Sequence, residues 1–153
     1  MSRLLRFALL LAGSSVVSLP AAAQSGAPAG RLTCTIGAGL AQAVSAQRPL
    51  ECRFRPRRGP LQTYAGTIRG FALDARTVSR SLLAWRVYGP YARAPLGVLN
   101  GSYARKGGDV GLTGGADNDV RLAPRSLPLQ RGANVALGVT AFDLSLVKAP
   151  RKR

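Results

Sequence analysis

The two cysteines, Cys34 and Cys52, constrain this chain more than any other feature, because each lies at the centre of a short alternating stretch. Cys34 is in Leu-Thr-Cys-Thr-Ile (residues 32–36), and Cys52 is in Leu-Glu-Cys-Arg-Phe (residues 50–54). Apolar residues that alternate with polar ones are typical of half-buried β-strands, and both cysteines fall on the apolar side. We therefore predict two strands whose inward faces each hold a cysteine.

In an oxidising compartment Cys34 and Cys52 are expected to form a disulfide. They are separated by 18 positions, and closing a loop of that size stabilises a fold by about 3 kcal/mol in the chain-entropy model. A catalytic dithiol usually has a Cys-x-x-Cys spacing that lowers the pKa of one thiol, and this pair has no such spacing. The spacing favours a structural disulfide over a redox-active one.

The N-terminus has the three parts of a secretory signal peptide. Arg3 and Arg6 supply a basic region, an apolar run follows, and three small residues end at Ala23. This order predicts that residues 1–23 are a signal peptide and that the protein is exported to the periplasm or the extracellular medium. The alternative is a retained membrane anchor, for which the apolar run is short and interrupted. No later stretch predicts a transmembrane segment.

The chain is strongly basic, with 22 lysines and arginines, six acidic residues and no histidine. Its formal net charge of +16 predicts attraction to anionic envelope components such as lipopolysaccharide and anionic lipid, and to nucleic acid. Nearly all of the basic residues are arginine, in a chain rich in alanine, glycine and proline. GC-rich coding drift explains this composition equally well.

Two basic clusters are the candidates for polyanion binding, one after Cys52 and one at the end of the chain. Their members are Arg53, Arg55, Arg57, Arg58, Lys148, Arg151, Lys152 and Arg153. Arginine binds phosphate and carboxylate groups through two parallel hydrogen bonds. The alternative is a solvated loop and a frayed tail. Neither cluster has the interleaved aromatic residues of single-strand nucleic-acid binding, so we predict no specific nucleic acid partner.

Short alternating stretches and turns rich in glycine and proline fill the rest of the chain. Beyond residues 31–36 and 50–55, strands are predicted at residues 64–71, 81–88, 97–104, 110–113 and 120–123, with a helical turn or two at 40–46. Asn100-Gly101 leaves open a hairpin turn inside the fifth of these strands. Residues 134–147 change their alternation near Ala141, which predicts one long strand with a bulge. The pattern is typical of a mainly β, small antiparallel sandwich or barrel-like single domain with at most a short helix.

Enzymatic chemistry has few residues to use. Without histidine, the commonest general base and a common zinc ligand are missing. The acidic residues are Glu51, Asp74, Asp109, Asp117, Asp119 and Asp143. Two of these carboxylates could serve a glycosidase, and residues 114–119 resemble part of a calcium loop without its bidentate glutamate. We expect no catalytic residue, no metal site and no cofactor.

A series of short motifs runs in one order along nearly the whole region after residue 31. The longer ones are Leu32-Thr33-Cys34, Leu50-Glu51-Cys52-Arg53-Phe54, Tyr64-Ala65-Gly66-Thr67-Ile68, Trp85-Arg86-Val87, Gly101-Ser102-Tyr103, Leu122-Ala123-Pro124 and Gly132-Ala133-Asn134-Val135-Ala136-Leu137-Gly138-Val139. As a set they resemble the small exported bacterial proteins grouped as domain of unknown function 992, found mostly in alphaproteobacteria. The resemblance implies an exported single domain with a cysteine pair and no assigned activity.

The sequence thus predicts four regions: a signal peptide (1–23), a disordered lead-in (24–30), one β domain (31–147) and a basic tail (148–153). The expected function is a non-catalytic structural or binding module of the cell envelope. The alternative is a cationic protein that binds polyanions such as lipopolysaccharide, anionic lipid or nucleic acid. A hydrolase that uses carboxylates is less favoured.

Overall fold

The computed structural model describes residues 26–36, 40–72, 81–126 and 133–148. The strands are β1 (Gly30–Thr35), β2 (Leu50–Pro56), β3 (Gln62–Phe71), β4 (Ser81–Tyr88), β5 (Gly101–Ala104), β6 (Leu112–Gly114), β7 (Val120–Pro124), β8 (Ala133–Asn134) and β9 (Val139–Leu146). A short helix, α1 (Leu40–Ser45), follows β1, and a 3₁₀ helix (Val135–Gly138) joins β8 to β9. The predicted mainly β architecture is confirmed.

Eight of these strands close into an antiparallel barrel. Their order around the barrel is β1-β2-β3-β9-β5-β6-β7-β4, and β4 pairs back with β1. The two-residue strand β8 lies outside this ring and runs parallel to the start of β4. Closure leaves the eight strands without a free sheet edge. Of the two predicted forms, barrel and sandwich, the barrel is the one adopted.

The apolar side of each strand faces the barrel interior. In β1 and β2 buried and exposed residues alternate strictly, as the sequence predicts. The largest fully buried side chains are Trp85, Tyr64, Tyr103, Phe54 and Phe142. The rings of Trp85 and Phe142 pack with their centroids 5.2 Å apart. Aromatic residues from five different strands therefore meet in one core.

The predicted disulfide between Cys34 and Cys52 is present. The two residues are directly opposite each other in the β1–β2 pair, and their Cα atoms are 4.0 Å apart. Both cysteines are fully buried. The bond thus cross-links the first hairpin from inside the core, out of contact with solvent.

Apart from residues 134–147, two predicted strands begin later in the structure than the sequence predicts, whereas the other predicted bounds differ by at most two residues. β5 begins at Gly101, because residues 97–100 form a turn in which the amide N of Asn100 donates to the carbonyl O of Gly97 at 3.0 Å. Gly97 has a φ angle of +77° inside this turn, and Gly101 has a φ angle of +138° where the chain enters β5, so both positions favour glycine. β6 covers Leu112–Gly114, and Val110 lies in the preceding turn.

The predicted long strand at residues 134–147 is wrong in its first part. Val135–Gly138 is a 3₁₀ helix, and β9 begins only at Val139. The side chain of Asn134 accepts a hydrogen bond from the amide of Ala136 and so caps this helix. The bulge expected near Ala141 is confirmed, since the register between β3 and β9 shifts where Gly70 and Phe71 meet Ala141 and Val139.

The two ends of the barrel differ in what they carry. β1, β3, β5 and β7 begin at one end, where β2, β4, β6 and β9 finish. We call this the upper end, and the connections at residues 57–61, 89–100 and 115–119 lie there. The lower end carries α1, the turn at residues 105–111 and the 3₁₀ helix.

Candidate anion-binding site

Arginines form a row across three adjacent strands near the upper end. Arg31 of β1 is directly opposite Arg55 of β2 on one side and Arg86 of β4 on the other. All three alternate with buried neighbours and are exposed on the outer wall. Like charges that face each other across strands destabilise a sheet. The row is therefore a feature that lowers stability unless an anion lies against it.

Two shallow depressions flank this row. One, of about 260 Å³, is lined by Arg31, Thr33, Arg53, Arg55, Leu61 and Arg125. The other, of about 230 Å³, is bordered by Arg31, Arg55, Arg57, Arg86 and Arg125 together with Gly30 and two prolines. We call the six arginines, Arg31, Arg53, Arg55, Arg57, Arg86 and Arg125, the arginine face. The two depressions share three of these residues, so neighbouring anionic groups could lie on both sides of Arg31 and Arg55.

Acidic partners on the arginine face are few. The salt bridges among the described residues are Arg53–Glu51 (3.1 Å), Arg121–Asp109 (3.0 Å) and Arg69–Asp143. Of the three acids, only Glu51 belongs to β1, β2 or β4. Within the part of the chain that the structure describes, Arg31, Arg55 and Arg86 have no acidic partner, and their charge is available to a ligand.

The sequence-predicted basic residues fall into four groups. Arg53, Arg55 and Arg57 lie on the arginine face, whereas Arg58 borders a separate depression of about 280 Å³ beside Tyr91. Lys148 is exposed just beyond β9. The remaining predicted residues, Arg151, Lys152 and Arg153, lie outside the described residues. The structure therefore brings together part of the first cluster, and it adds three arginines from elsewhere in the chain.

Sequence reasoning missed Arg31, Arg86 and Arg125, which are far from one another and from Arg55 in the sequence. Arg31 precedes Leu32 and Arg86 lies between Trp85 and Val87, so the alternation marks each as an outward residue. The sequence alone was therefore enough to predict that both side chains face outward. The pairing of β1 with both β2 and β4, which places these residues side by side, depends on the barrel's closure and has no local sequence signal.

A buried polar network supports the upper end beneath this site. Gln62 is 2% exposed; its Nε2 donates to the carbonyl O of Pro95 at 3.0 Å, and its Oε1 accepts from the amide of Gly97 at 3.1 Å. The hydroxyl of Tyr64 donates to Gln62 Oε1 at 2.5 Å and accepts from the amide of Leu99 at 3.2 Å. These bonds hold the 95–99 segment against the barrel.

Burial raises the pKa of three tyrosines at this end, Tyr64, Tyr91 and Tyr103. The pKa of Tyr64 is raised, although hydrogen bonds from the backbone of Leu99 and Gly97 oppose the shift. Burial raises the pKa of Tyr91 to about 12, and the pKa of Tyr103 is raised still further. Tyr103 donates its hydroxyl proton to the carbonyl O of Leu99 at 2.8 Å. All three phenols are therefore neutral at pH 7.

The described acidic residues are spread over the barrel. Glu51, Asp109 and Asp143 are each paired with an arginine, and Asp117 and Asp119 are exposed in the β6–β7 turn. The Arg121 guanidinium and the amide of Gly111 hold the pKa of Asp109 below its usual 3.8. Asp74 lies outside the described residues. Among those that are described, no three potential metal-ligating side chains form a group.

The fold and this site define a small closed β-barrel with a cross-linked first hairpin and an arginine-rich outer wall. The family model described as protein of unknown function, DUF992, matches residues 14–145. The chain belongs to this family, which confirms the resemblance drawn from its motifs. No curated protein and no solved structure matches the chain. In the described ranges, no helix has the length and apolar character needed to cross a membrane.

Proposed function

We propose that this protein is a non-catalytic module of the cell envelope that binds anionic envelope components through its arginine face. The row Arg86–Arg31–Arg55 carries the proposal, because Arg31 is directly opposite a like charge on each side and these charges repel until an anion neutralises them. Guanidinium groups bind phosphate and carboxylate groups bidentately. Anions of these two kinds are the ligands that such a row fits best.

The residues around the row support the same ligand class. The hydroxyl-bearing Thr33 lines the first depression together with the arginines, and a hydroxyl can donate to an anionic oxygen. Arg31 and Arg55 border both depressions. A ligand with two neighbouring anionic groups could therefore use these two arginines from both sides. This arrangement favours a polyanion over a single small anion.

Export to the envelope is the second part of the proposal. The disulfide between Cys34 and Cys52 is compatible with an oxidising compartment, where such bonds persist. The signal peptide predicted at residues 1–23 supports the same location, although those residues lie outside the described ranges. An exported cationic barrel would meet anionic lipids and polysaccharides as its most abundant neighbours.

The non-catalytic part of the proposal follows from how the acidic residues are used. Acid–base hydrolysis of a glycoside needs two carboxyl groups facing one substrate. Here Glu51, Asp109 and Asp143 are on different strands or turns, and each is engaged by an arginine. This distribution favours binding over hydrolysis.

The proposal is tested by binding of residues 24–153 to soluble polyphosphate and to purified lipopolysaccharide over a salt series. The variant Arg31→Gln/Arg86→Gln removes two charges from the row, and Arg48→Gln/Lys106→Gln removes two exposed charges elsewhere. We expect the row variant to bind about tenfold or more weakly, because it loses charge-assisted hydrogen bonds, and the control to bind within about threefold of wild type. Equal losses in the two variants would show only general charge attraction and would contradict the proposal.

A further inference from the structure

Three exposed apolar side chains lie at the upper end of the barrel. Leu61 is 54% exposed, Leu96 is 68% exposed and Val147 is 48% exposed. They come from three separate segments of the chain: the β2–β3 connection, the β4–β5 connection and the residues after β9. Large apolar side chains that gather on a surface mark a binding site more often than scattered ones do.

Leu61 continues the arginine row onto β3. Phe54 is paired with Gln62, the first residue of β3. The residue before it, Leu61, therefore lies beside Arg55, the next residue of β2. Leu61 and Arg55 line the same depression. The row Arg86–Arg31–Arg55 thus ends in the apolar side chain of Leu61. Through Leu61, the arginine face adjoins the exposed apolar residues.

Hydrogen bonds hold Leu96 and Val147 close to Leu61. Leu96 lies between Pro95 and Gly97, both of which are bonded to the buried side chain of Gln62, the residue after Leu61. The amide of Val147 donates to the carbonyl O of Thr63 at 2.8 Å. We call Leu61, Leu96 and Val147 the apolar patch. Because these hydrogen bonds fix its backbone, the patch is formed before any partner arrives.

Basic residues surround the apolar patch. Arg57 and Arg58 lie in the same connection as Leu61, Arg93 precedes Leu96, and Lys148 follows Val147. All four are exposed. A partner that covers the patch must therefore be apolar at its centre and negatively charged around it.

We propose that the upper end docks on the surface of an anionic phospholipid bilayer. The apolar patch enters the boundary between headgroups and acyl chains, and the arginine face and its neighbouring cations bind headgroup phosphates. This inference rests on the proposed function and names the source of the anion. A second copy of the chain is a poorer occupant, because a symmetric contact would bring the same cations together.

The test compares two pairs of exposed apolar residues. Leu96→Ser/Val147→Ser removes two of the three patch residues and leaves the lining of both depressions unchanged, whereas Val110→Ser/Leu137→Ser removes residues at the lower end that are each 51% exposed. Neither pair changes the charge. Binding is measured by co-sedimentation with vesicles of phosphatidylglycerol and phosphatidylcholine, at low salt and at about 0.3 M salt, where exposed charge pairs are strongly screened.

We expect wild type and the lower-end variant to remain on the vesicles at the higher salt concentration. The patch variant should bind about tenfold or more weakly there, because it loses apolar burial, while its affinity for soluble polyphosphate stays unchanged. If the patch variant sediments with vesicles as wild type does, the bilayer inference is overturned.

Two further outcomes separate this inference from the proposed function. If wild type binds polyphosphate but does not bind the vesicles, only the bilayer inference is overturned. Wild type that binds neither would overturn the proposed function as well. Sedimentation equilibrium gives a third check, since a wild-type dimer that becomes a monomer in the patch variant would make a second copy the occupant and overturn the bilayer inference.

Discussion

The side chain of Asn134 makes hydrogen bonds with backbone groups of Ala84 in β4 and of Arg125, just after β7. Its Oδ1 accepts from the amide of Ala84 at 3.0 Å, and its Nδ2 donates to the carbonyl O of the same residue at 2.9 Å. Its Nδ2 also donates to the carbonyl O of Arg125 at 2.6 Å. β7 ends with Pro124 opposite Trp85, the residue that follows Ala84 in β4. The asparagine therefore satisfies the β4 backbone at the point where its neighbouring strand stops.

Replacing this residue tests that role. Asn134→Ala leaves the amides of Ala84 and Ala136 without their side-chain acceptor, and each unsatisfied group costs about 1–3 kcal/mol when buried. We expect the free energy of unfolding in urea to fall by about 2–4 kcal/mol. This range is below the sum of two full penalties, because the site is only partly buried. Asn134→Asp keeps the acceptor but sets a carboxylate oxygen against the carbonyl O atoms of Ala84 and Arg125, so it should not restore the lost stability. An alanine variant as stable as wild type would contradict this account.

At the scale of elements, the disulfide-linked hairpin packs against β3 and β9 through a position that admits no side chain. A Cβ atom on Gly66 of β3 would lie 2.6 Å from Cys52 Sγ and 2.6 Å from the ring of Phe142. Both of those side chains are fully buried. The close approach of three strands therefore depends on the absence of a methyl group at this one residue.

Gly66→Ala is expected to destabilise the barrel by about 1–3 kcal/mol, because overpacking forces the disulfide or the Phe142 ring to move. The matched control is Gly108→Ala, whose added Cβ would meet nothing within 4 Å. Chemical unfolding of both variants measures the difference. If the Gly66 variant unfolds at the same denaturant concentration as the Gly108 variant, the core accommodates the added methyl group without a loss of stability, and the prediction is wrong.

The elements also show where sequence reasoning succeeds. The strands around Cys34 and Cys52 were predictable, because a period of two is a local property that both stretches display clearly. Val135 and Leu137 alternate in the same way, yet they belong to the 3₁₀ helix. The side chain of Asn134 accepts hydrogen bonds from the amides of Ala84 and Ala136, and these bonds override the local pattern. The arginine row was only partly predictable, because Arg31 and Arg86 meet through pairing of distant strands.

At the scale of the whole molecule, three of its four tyrosines give the barrel a dependence on alkaline pH. Burial raises the pKa of Tyr64, Tyr91 and Tyr103 above the usual 10.0. A group whose pKa is raised by folding contributes stability that is complete below its unfolded pKa and is lost as the pH rises through the folded one. The barrel should therefore lose stability above pH 10.0, over a window that reaches about 12 for Tyr91.

Absorbance at 295 nm, recorded with circular dichroism, measures this behaviour. We expect the three buried tyrosines to ionise only above pH 10.0 and together with unfolding, whereas urea-unfolded protein should titrate near 10.0. Tyr91→Phe is the informative variant, because the Tyr91 hydroxyl is buried without a hydrogen-bond partner among the described residues. That variant should resist alkaline unfolding better than wild type. Ionisation of all four tyrosines near pH 10.0 in a folded protein would contradict the prediction.

The position of β9 decides when the barrel can exist at all. β9 is the last described strand in the sequence, and it lies between β3 and β5. Until it is present, the earlier strands form an open sheet with two unpaired edges, cross-linked only within the first hairpin. When the chain emerges N-terminus first from a ribosome or a translocation pore, β9 therefore emerges after the other seven strands of the barrel. The ring therefore cannot close until Val139–Leu146 has emerged.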